Sequence, residues 1–260
     1  VSRRTRRIQG EEEIVVSRED MIVVDDAIVA LLEGGKIRRL PKRNFTAESI
    51  ASEKPVFIME TQTDRRLRFF TSHGNCLIIG VDELPEARLT AKATNLNSLV
   101  QLEKDEEIVA CFDEVKDDTL VFFTALGSAK RTEGKEFDLR TKKTAAIALK
   151  DDDRVIAVEK QDETAGTVIM VSKGGMSIRF ATDTVPVMGK GAGGVKCMKL
   201  DEGDRIIFAA QIADEGEILT ISDRGYAKRS LVFDYEIQGR NGKGLKTFDF
   251  KKNGSNGTAI

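Results

Sequence analysis

Ile218-Leu-Thr-Ile-Ser-Asp-Arg-Gly225-Tyr-Ala-Lys-Arg229 is one of five related stretches that decide the fold of this chain. In each stretch a short apolar run leads into a polar turn and a glycine, and a pair of basic residues usually follows. The five glycines are Gly35, Gly74, Gly127, Gly175 and Gly225. Glycine adopts the positive φ of tight hairpin turns without strain, so we predict a β-hairpin at each stretch.

The five stretches recur every ~40–50 residues, a period that, when built from strands, indicates a propeller-like array. The fourth unit has an acidic turn at 151–154, strands at 155–158, 168–171 and 177–180, and a last strand at 195–200. The fifth unit repeats this order of parts. Runs such as Leu120-Val-Phe-Phe123 are apolar on both faces, as in a sheet packed between two neighbours. We therefore predict an all-β fold of five, or six, four-stranded blades.

Two apolar runs at 14–16 and 21–24 precede the first unit, and they predict strands that could complete the last blade. We divide the chain into a linker from a preceding domain, residues 1–12, and one β domain, residues 13–260.

The composition is that of a globular domain, with 40% hydrophobic and 32% charged residues. Cys76, Cys111 and Cys197 have no metal-ligand spacing, which predicts reduced thiols, and a single histidine, His73, argues against a zinc site. No apolar run reaches the length of a membrane span. We predict no catalytic residue, no metal and no cofactor in this chain.

The net charge is −2, but basic and acidic residues are grouped in separate blocks. Blocks that alternate in a repeat array predict opposite charges on opposite faces. Basic hairpins at equivalent places predict a track of cations that contacts the phosphates of duplex DNA. The predicted contact residues are Lys36, Arg38, Arg39, Lys42, Arg43, Lys130, Arg131, Lys142, Lys143, Arg179, Lys190, Lys196, Arg224, Lys228, Arg229, Arg240, Lys243 and Lys246.

Three features together resemble one protein family. They are the segment Arg3-Arg-Thr-Arg6, the recurring hairpin with its basic pair, and a glycine-basic box. The box consists of Gln238, Gly239, Arg240, Asn241, Gly242, Lys243 and Gly244. The ordered set resembles the C-terminal β-pinwheel of the A subunit of bacterial type IIA topoisomerases, DNA gyrase and topoisomerase IV, over essentially the whole chain.

The resemblance implies a non-catalytic module that binds and bends duplex DNA. The active-site tyrosine, the ATPase and the sites for ATP and Mg²⁺ would lie elsewhere in the holoenzyme. The implied partners are duplex DNA, the catalytic core that precedes this domain in the same polypeptide, and the ATPase B subunit. The implied location is the cytoplasm, without a membrane, and the isolated domain would be a monomer.

The position of the box favours one branch of the family. In gyrase a glycine-basic box follows the first hairpin, whereas here the first unit continues Leu40-Pro-Lys-Arg-Asn-Phe45. The box-like stretch in the fifth unit has Asn241 where a glycine is expected, and such degenerate boxes are typical of topoisomerase IV. The alternatives are gyrase, which wraps DNA for negative supercoiling, and, in another class, a propeller scaffold for protein–protein interaction.

Overall fold

The computed structural model describes residues 22–86, 92–150, 152–251 and 253–260. The predicted linker at 1–12 and the predicted strand at 14–16 lie outside the described residues. The prediction of a strand at 21–24 is wrong for the described residues 22–24, which form none. Val23 and Val24 are exposed there, and the Val23 carbonyl accepts a hydrogen bond from the Thr63 hydroxyl rather than from a neighbouring strand.

The described residues form four antiparallel sheets of four strands and one of two strands. The first sheet contains β1 (Asp26–Leu32), β2 (Lys36–Pro41), β3 (Pro55–Gln62) and β6 (Thr94–Asn95); the second contains β4 (Arg66–Thr71), β5 (Asn75–Gly80), β7 (Ile108–Phe112) and β10 (Lys143–Ala145). The third contains β8 (Thr119–Thr124), β9 (Ser128–Glu133), β11 (Val155–Lys160) and β14 (Val195–Lys196); the fourth contains β12 (Thr167–Ser172), β13 (Met176–Ala181), β15 (Ile206–Ile212) and β18 (Leu245–Lys246).

The fifth sheet is the hairpin of β16 (Glu217–Ile221) and β17 (Ala227–Leu231), extended by an isolated bridge between Ser222 and Ala259. One short helix, α1 (Ala47–Ala51), follows the first hairpin. The predicted all-β, five-unit array is therefore confirmed. The first four blades have four strands each, while the described part of the fifth consists of its hairpin and the bridge.

Each four-stranded sheet is built in two separate passes of the chain. A hairpin forms first, and a flanking strand (β3, β7, β11 or β15) then pairs with the first strand of that hairpin. The chain next forms the following hairpin before it returns with a closing strand (β6, β10, β14 or β18) on the second strand of the earlier one. The four strands of one sequence unit are consequently shared between two neighbouring blades.

The hairpin glycines have the predicted backbone conformation, with φ between 70° and 82°. Each glycine carbonyl in the first four hairpins also accepts a backbone N–H from the residues at or just after the closing strand, as Gly127 does from Cys197 and Met198. The same turn thus reverses the hairpin and fixes the register of the fourth strand.

The apolar cores lie between adjacent blades, which explains strands that are apolar on both faces. Phe122 packs with Phe70 and Phe137 between the second and third blades. Its neighbour Phe123 points to the other face and packs with Val168 and Phe180 between the third and fourth blades. Burial of one such side chain contributes about 1.5–3 kcal/mol, so the interfaces between blades provide much of the stability.

The three cysteines are free thiols, as predicted. Burial raises the pKa of Cys76 to about 12 and that of Cys197 to about 11. Among the described residues, no helix is both long and apolar enough to cross a bilayer.

Candidate nucleic-acid interface

The candidate interface is formed by three closing loops, the segments 138–145, 185–196 and 235–246 that end in β10, β14 and β18. Backbone hydrogen bonds join them in series. Ala148, just after the first closing loop, donates its N–H to the carbonyl of Ala192, while Lys199 donates to Gly242 and Asn241 donates to Cys197. Side chains on these loops therefore occupy one continuous band across three blades.

Seven of the predicted contact residues lie on this band. Lys142, Lys143, Lys196, Lys243 and Lys246 are exposed, and Lys190 and Arg240 are half-buried. The Lys196 ammonium donates to the Leu126 carbonyl at 2.6 Å and the Arg240 guanidinium to the Lys196 carbonyl at 3.4 Å. The structure therefore brings Arg240 next to Lys196, although 44 positions separate them in the sequence.

Six other predicted contact residues lie on the two end hairpins and are exposed. Lys36, Lys42 and Arg43 are on or directly after the first hairpin, and Arg224, Lys228 and Arg229 are on the fifth. Lys228 donates to the carbonyl of Thr247, next to the last closing strand, at 3.0 Å. This contact ties the fifth hairpin to the end of the band.

Five predicted contact residues are instead engaged within the protein. Arg38, Lys130 and Arg179 are 4%, 0% and 5% exposed, and the side chains of Arg39 and Arg131 are largely covered. Arg38 pairs with Glu53 at 2.8 Å, and Arg131 donates to the carbonyls of Val185 and Asp183. The structure therefore turns Arg38, Lys130 and Arg179 away from an external ligand. Arg38 is held by Glu53 of its own blade, Lys130 by the second closing loop, and Arg179 by the turn after β17.

Lys130 is the most buried of these cations. Its ammonium donates to the carbonyls of Gly189 and Lys190, each at 3.0 Å, and lies 5.3 Å from the centre of the Phe122 ring. Burial lowers its pKa to about 8, and the Glu136 carboxylate opposes this shift. Lys130 thus anchors the second closing loop, 185–196, through two of its main-chain carbonyls.

Acidic residues are not segregated onto an opposite face, contrary to the prediction. Carboxylates of the acidic turns bind the hairpin turns themselves: Asp204 accepts from Ser172 and Gly174, and Asp153 accepts from Leu126. Six exposed cations also have a carboxylate partner. These pairs are Lys42–Glu60, Lys142–Glu83, Lys143–Glu103, Arg229–Glu217, Lys243–Asp201 and Lys246–Asp249.

The carboxylates in these ion pairs compete only weakly with an anionic ligand for the cations. Exposed pairs of this kind contribute roughly 0–1 kcal/mol each, so a phosphate can replace the carboxylate at little cost. The ammonium of Lys243 lowers the pKa of Asp201, and that of Lys246 lowers the pKa of Asp249, as expected for partners that keep their charges. Within the described ranges no three His, Cys, Asp or Glu side chains are grouped as a metal site.

Comparison with known proteins identifies the family. The model of the family described as "DNA gyrase C-terminal domain, beta-propeller" matches residues 69–112, 118–162, 166–213 and 216–256, more than half of the chain. The chain belongs to this family. It is a C-terminal domain from the A subunit of a type IIA topoisomerase.

Relatives of both enzyme types are similar to this domain. The A subunit of DNA gyrase from Haloquadratum walsbyi is 31% identical over 98% of the chain, and the A subunit of DNA topoisomerase 4 from Streptococcus pneumoniae is 31% identical over 92%. The chain spans about a third of each relative, 32% and 31%. A crystal structure of a topoisomerase IV C-terminal domain matches 92% of the chain and 77% of its own length, with a TM-score of 0.82 and 26% identity.

The glycines of the box in this topoisomerase domain have an intramolecular role as well. Gly244 has φ 76°, and a Cβ built there would lie 2.1 Å from the carbonyl oxygen of Ser177. Gly244 is therefore required for the close approach of the closing loop to β13. Gly239 has open space around its Cα, so it remains available for the approach of a ligand.

Two exposed cations of the band were missed by the sequence interpretation. Arg140 lies on the first closing loop, and Lys199 follows the second, where its N–H binds the Gly242 carbonyl. Neither belongs to a basic pair after a hairpin glycine. Aligning the units on their closing segments rather than on their hairpins would have found both.

Proposed function

We propose that this domain binds duplex DNA along the band of closing loops and bends it. The observation that carries the proposal is the series of hydrogen bonds that joins three closing loops, each of which carries exposed cations. Duplex DNA presents a charge every ~1.7 Å, so several aligned cations gain affinity through release of counterions. Such contacts carry little sequence information.

Bending requires contacts at more than one place on the duplex. A smooth bend of 40–90° over 20–30 bp costs on the order of 1–6 kcal/mol, which several phosphate contacts must offset. The band spans three blades, Lys228 of the fifth hairpin contacts its end, and exposed cations also lie on the first hairpin. Phosphate contacts on several blades would offset the cost of the bend.

A titration with a ~40 bp duplex at about 50 and about 200 mM salt tests the proposal. We expect affinity to fall steeply with salt and to vary little with sequence. In the double variant Lys243→Gln/Lys246→Gln, the slope of log K against log salt concentration should become shallower by about one for each lost phosphate contact. The change should be the same for every DNA sequence. Lys116→Gln, an exposed cation away from the closing loops, is the control. A DNA affinity that does not change with salt concentration would instead support the alternative of a scaffold for protein–protein interaction.

Within the family we propose that the domain belongs to topoisomerase IV. Residues 42–44 form a 3₁₀ turn and α1 follows, in the part of the first unit where gyrase has its box. The domain would then serve decatenation and relaxation by a holoenzyme in the cytoplasm, attached to the catalytic core and working with the ATPase B subunit. ATP and Mg²⁺ would act in those other parts.

The handedness of DNA writhe distinguishes the two enzymes. Ligation of a nicked plasmid with this domain bound should give little positive writhe. Strong positive writhe would assign the domain to gyrase.

A further inference from the structure

We propose that one arginine in each of the second, third and fourth blades is a positioning residue that holds the closing loop for DNA, rather than a DNA contact. The arginines are Arg68, Arg131 and Arg179, called the joint arginines below. The inference rests on the proposed function, because it states which cations prepare the band and which touch phosphate.

The joint arginines share one set of contacts. Each guanidinium donates to main-chain carbonyls in or beside the 3₁₀ turn of the following blade. Arg131 binds Val185 and Asp183, and Arg68 binds Phe137. Arg179 binds the carbonyls of Val232 and Tyr235 at 3.4 and 3.3 Å, together with the Thr167 hydroxyl and the Asp214 carboxylate.

In two blades the joint arginine stands four residues after the hairpin glycine, as Arg131 follows Gly127 and Arg179 follows Gly175. The second blade has the apolar Ile78 at this position. Its arginine, Arg68, is the cross-strand partner of Ile78 and points from the same face of the sheet. In the other two blades the cross-strand partners are the aliphatic Val121 and Ile169. In the second blade the arginine therefore lies on the first strand of the hairpin rather than the second, but it still contacts the next blade.

This contact determines where a closing loop begins. The turn bound by Arg179 leads directly into the loop that carries Arg240 and Lys243, and β18 at the end of that loop pairs with β13, the strand of Arg179. The Gln238 N–H donates to the Arg179 carbonyl at 2.7 Å. Both ends of the box-like loop are therefore attached to a single strand, and the guanidinium supplies the first attachment.

The first blade offers a natural control. Arg39 occupies the same position after Gly35, but its guanidinium lies 3.8 Å from the Glu86 carboxylate and its buried Nε has no hydrogen-bond partner. Among the residues that the structure describes, Arg39 therefore has none of the carbonyl contacts that define the joint arginines.

The test compares Arg179→Lys with Arg39→Lys, since both retain the positive charge. Lysine cannot reproduce a planar guanidinium that donates to several acceptors at once. We expect Arg179→Lys to weaken duplex binding roughly threefold to tenfold, comparable to losing one or two phosphate contacts. Amide hydrogen exchange at Gln238 and Asn241 should accelerate in the same variant. Arg39→Lys should change neither quantity.

Two outcomes would overturn the proposal. In the first, Arg179→Lys binds DNA and exchanges its amides as the wild type does. In the second, Arg179→Lys melts at a lower temperature but binds DNA as tightly as the wild type when binding is measured well below that temperature. If Arg179→Lys does not fold, Asp214→Asn removes only the ion pair and should give a smaller effect in the same direction. If the wild-type domain does not bind DNA, the proposed function fails, and exchange at Gln238 and Asn241 still decides whether Arg179 positions the loop.

A second variant uses the exchanged pair in the second blade. Arg68→Ile should release the turn that contains Phe137, and the double variant Arg68→Ile/Ile78→Arg should restore it by moving the guanidinium to the usual strand. Recovery of amide protection at Asp138, whose N–H donates to the Lys135 carbonyl of this turn, supports the proposal in the double variant. Additive loss in the double variant contradicts it.

Discussion

The fourth and fifth hairpins have related sequences but very different surroundings. In the fourth, β12 is buried throughout and Arg179 is enclosed by the next blade. In the fifth, β16 and β17 are largely exposed among the described residues, and Arg229, at the position of Arg179, pairs with the Glu217 carboxylate of its own hairpin. The difference shows that the motif specifies a hairpin, whereas the flanking strand, the closing strand and the next blade decide which of its side chains are buried.

The side of β16 that has no neighbouring strand among the described residues illustrates this dependence. Phe208 on β15 and Leu219 on β16 are 48% and 60% exposed and line an open groove of about 370 Å³. In the preceding blades the corresponding space is filled, because β7 packs on β11 and β11 on β15.

The largest expected effect comes from truncating matched apolar residues in the two hairpins. Ile169 is fully buried with Val171 and Tyr235, and Leu219 is its counterpart in the fifth unit. We expect Ile169→Ala to lower the free energy of unfolding by about 2–5 kcal/mol and Leu219→Ala by less than about 0.5 kcal/mol. Urea unfolding measures both. Equal losses would show that the fifth hairpin is buried in solution.

A smaller difference is expected at the hairpin glycines. Gly175 and Gly225 have φ of 82° and 78°, so alanine costs about 1–2 kcal/mol at either position. A Cβ at Gly175 would also lie 2.4 Å from the Phe248 carbonyl, whereas Gly225 has nothing within 4 Å. Gly175→Ala should therefore destabilise by roughly 1 kcal/mol more than Gly225→Ala, because overpacking displaces the closing strand. Identical thermal shifts would contradict this account.

The smallest effect concerns pH and the lysine three residues after the hairpin glycine. The pKa of Lys130 is lowered to about 8 from an ordinary 10.5, so between these values the unfolded chain binds a proton that the folded chain does not. Stability from this site consequently rises with pH from about 8 to 10.5. We expect wild type to gain about 1 kcal/mol over Lys130→Met between about pH 7 and about pH 8.7 in urea unfolding. Lys228→Met, at the exposed counterpart, is the matched control.

The sequence was sufficient to predict the hairpins, the all-β class and the five-unit array, since these depend on local turn chemistry and on a visible period. It was not sufficient to assign strands to sheets. Residues 195–196 look like the end of the fourth unit, but they close the third blade, because pairing partners depend on where a neighbouring blade lies.

The interface was predicted in part for the same reason. Lys196, Lys243 and Lys246 are exposed on closing loops, as expected of contact residues, and their role in binding DNA stays a prediction. Arg179 and Lys130 have the same basic character in sequence. Their burial follows from carbonyl groups about 50 residues or more away along the chain, which no local pattern reveals.

The two-pass construction of each sheet also affects how the chain folds during synthesis. On a ribosome Lys36 emerges well before its partner Asn95, and Met176 well before Lys246. At roughly 5–20 residues per second, every hairpin spends several seconds with one edge open. A pause or a break anywhere in the array would therefore leave two neighbouring blades unfinished at once, so the repeats cannot be deleted or exchanged as independent cassettes.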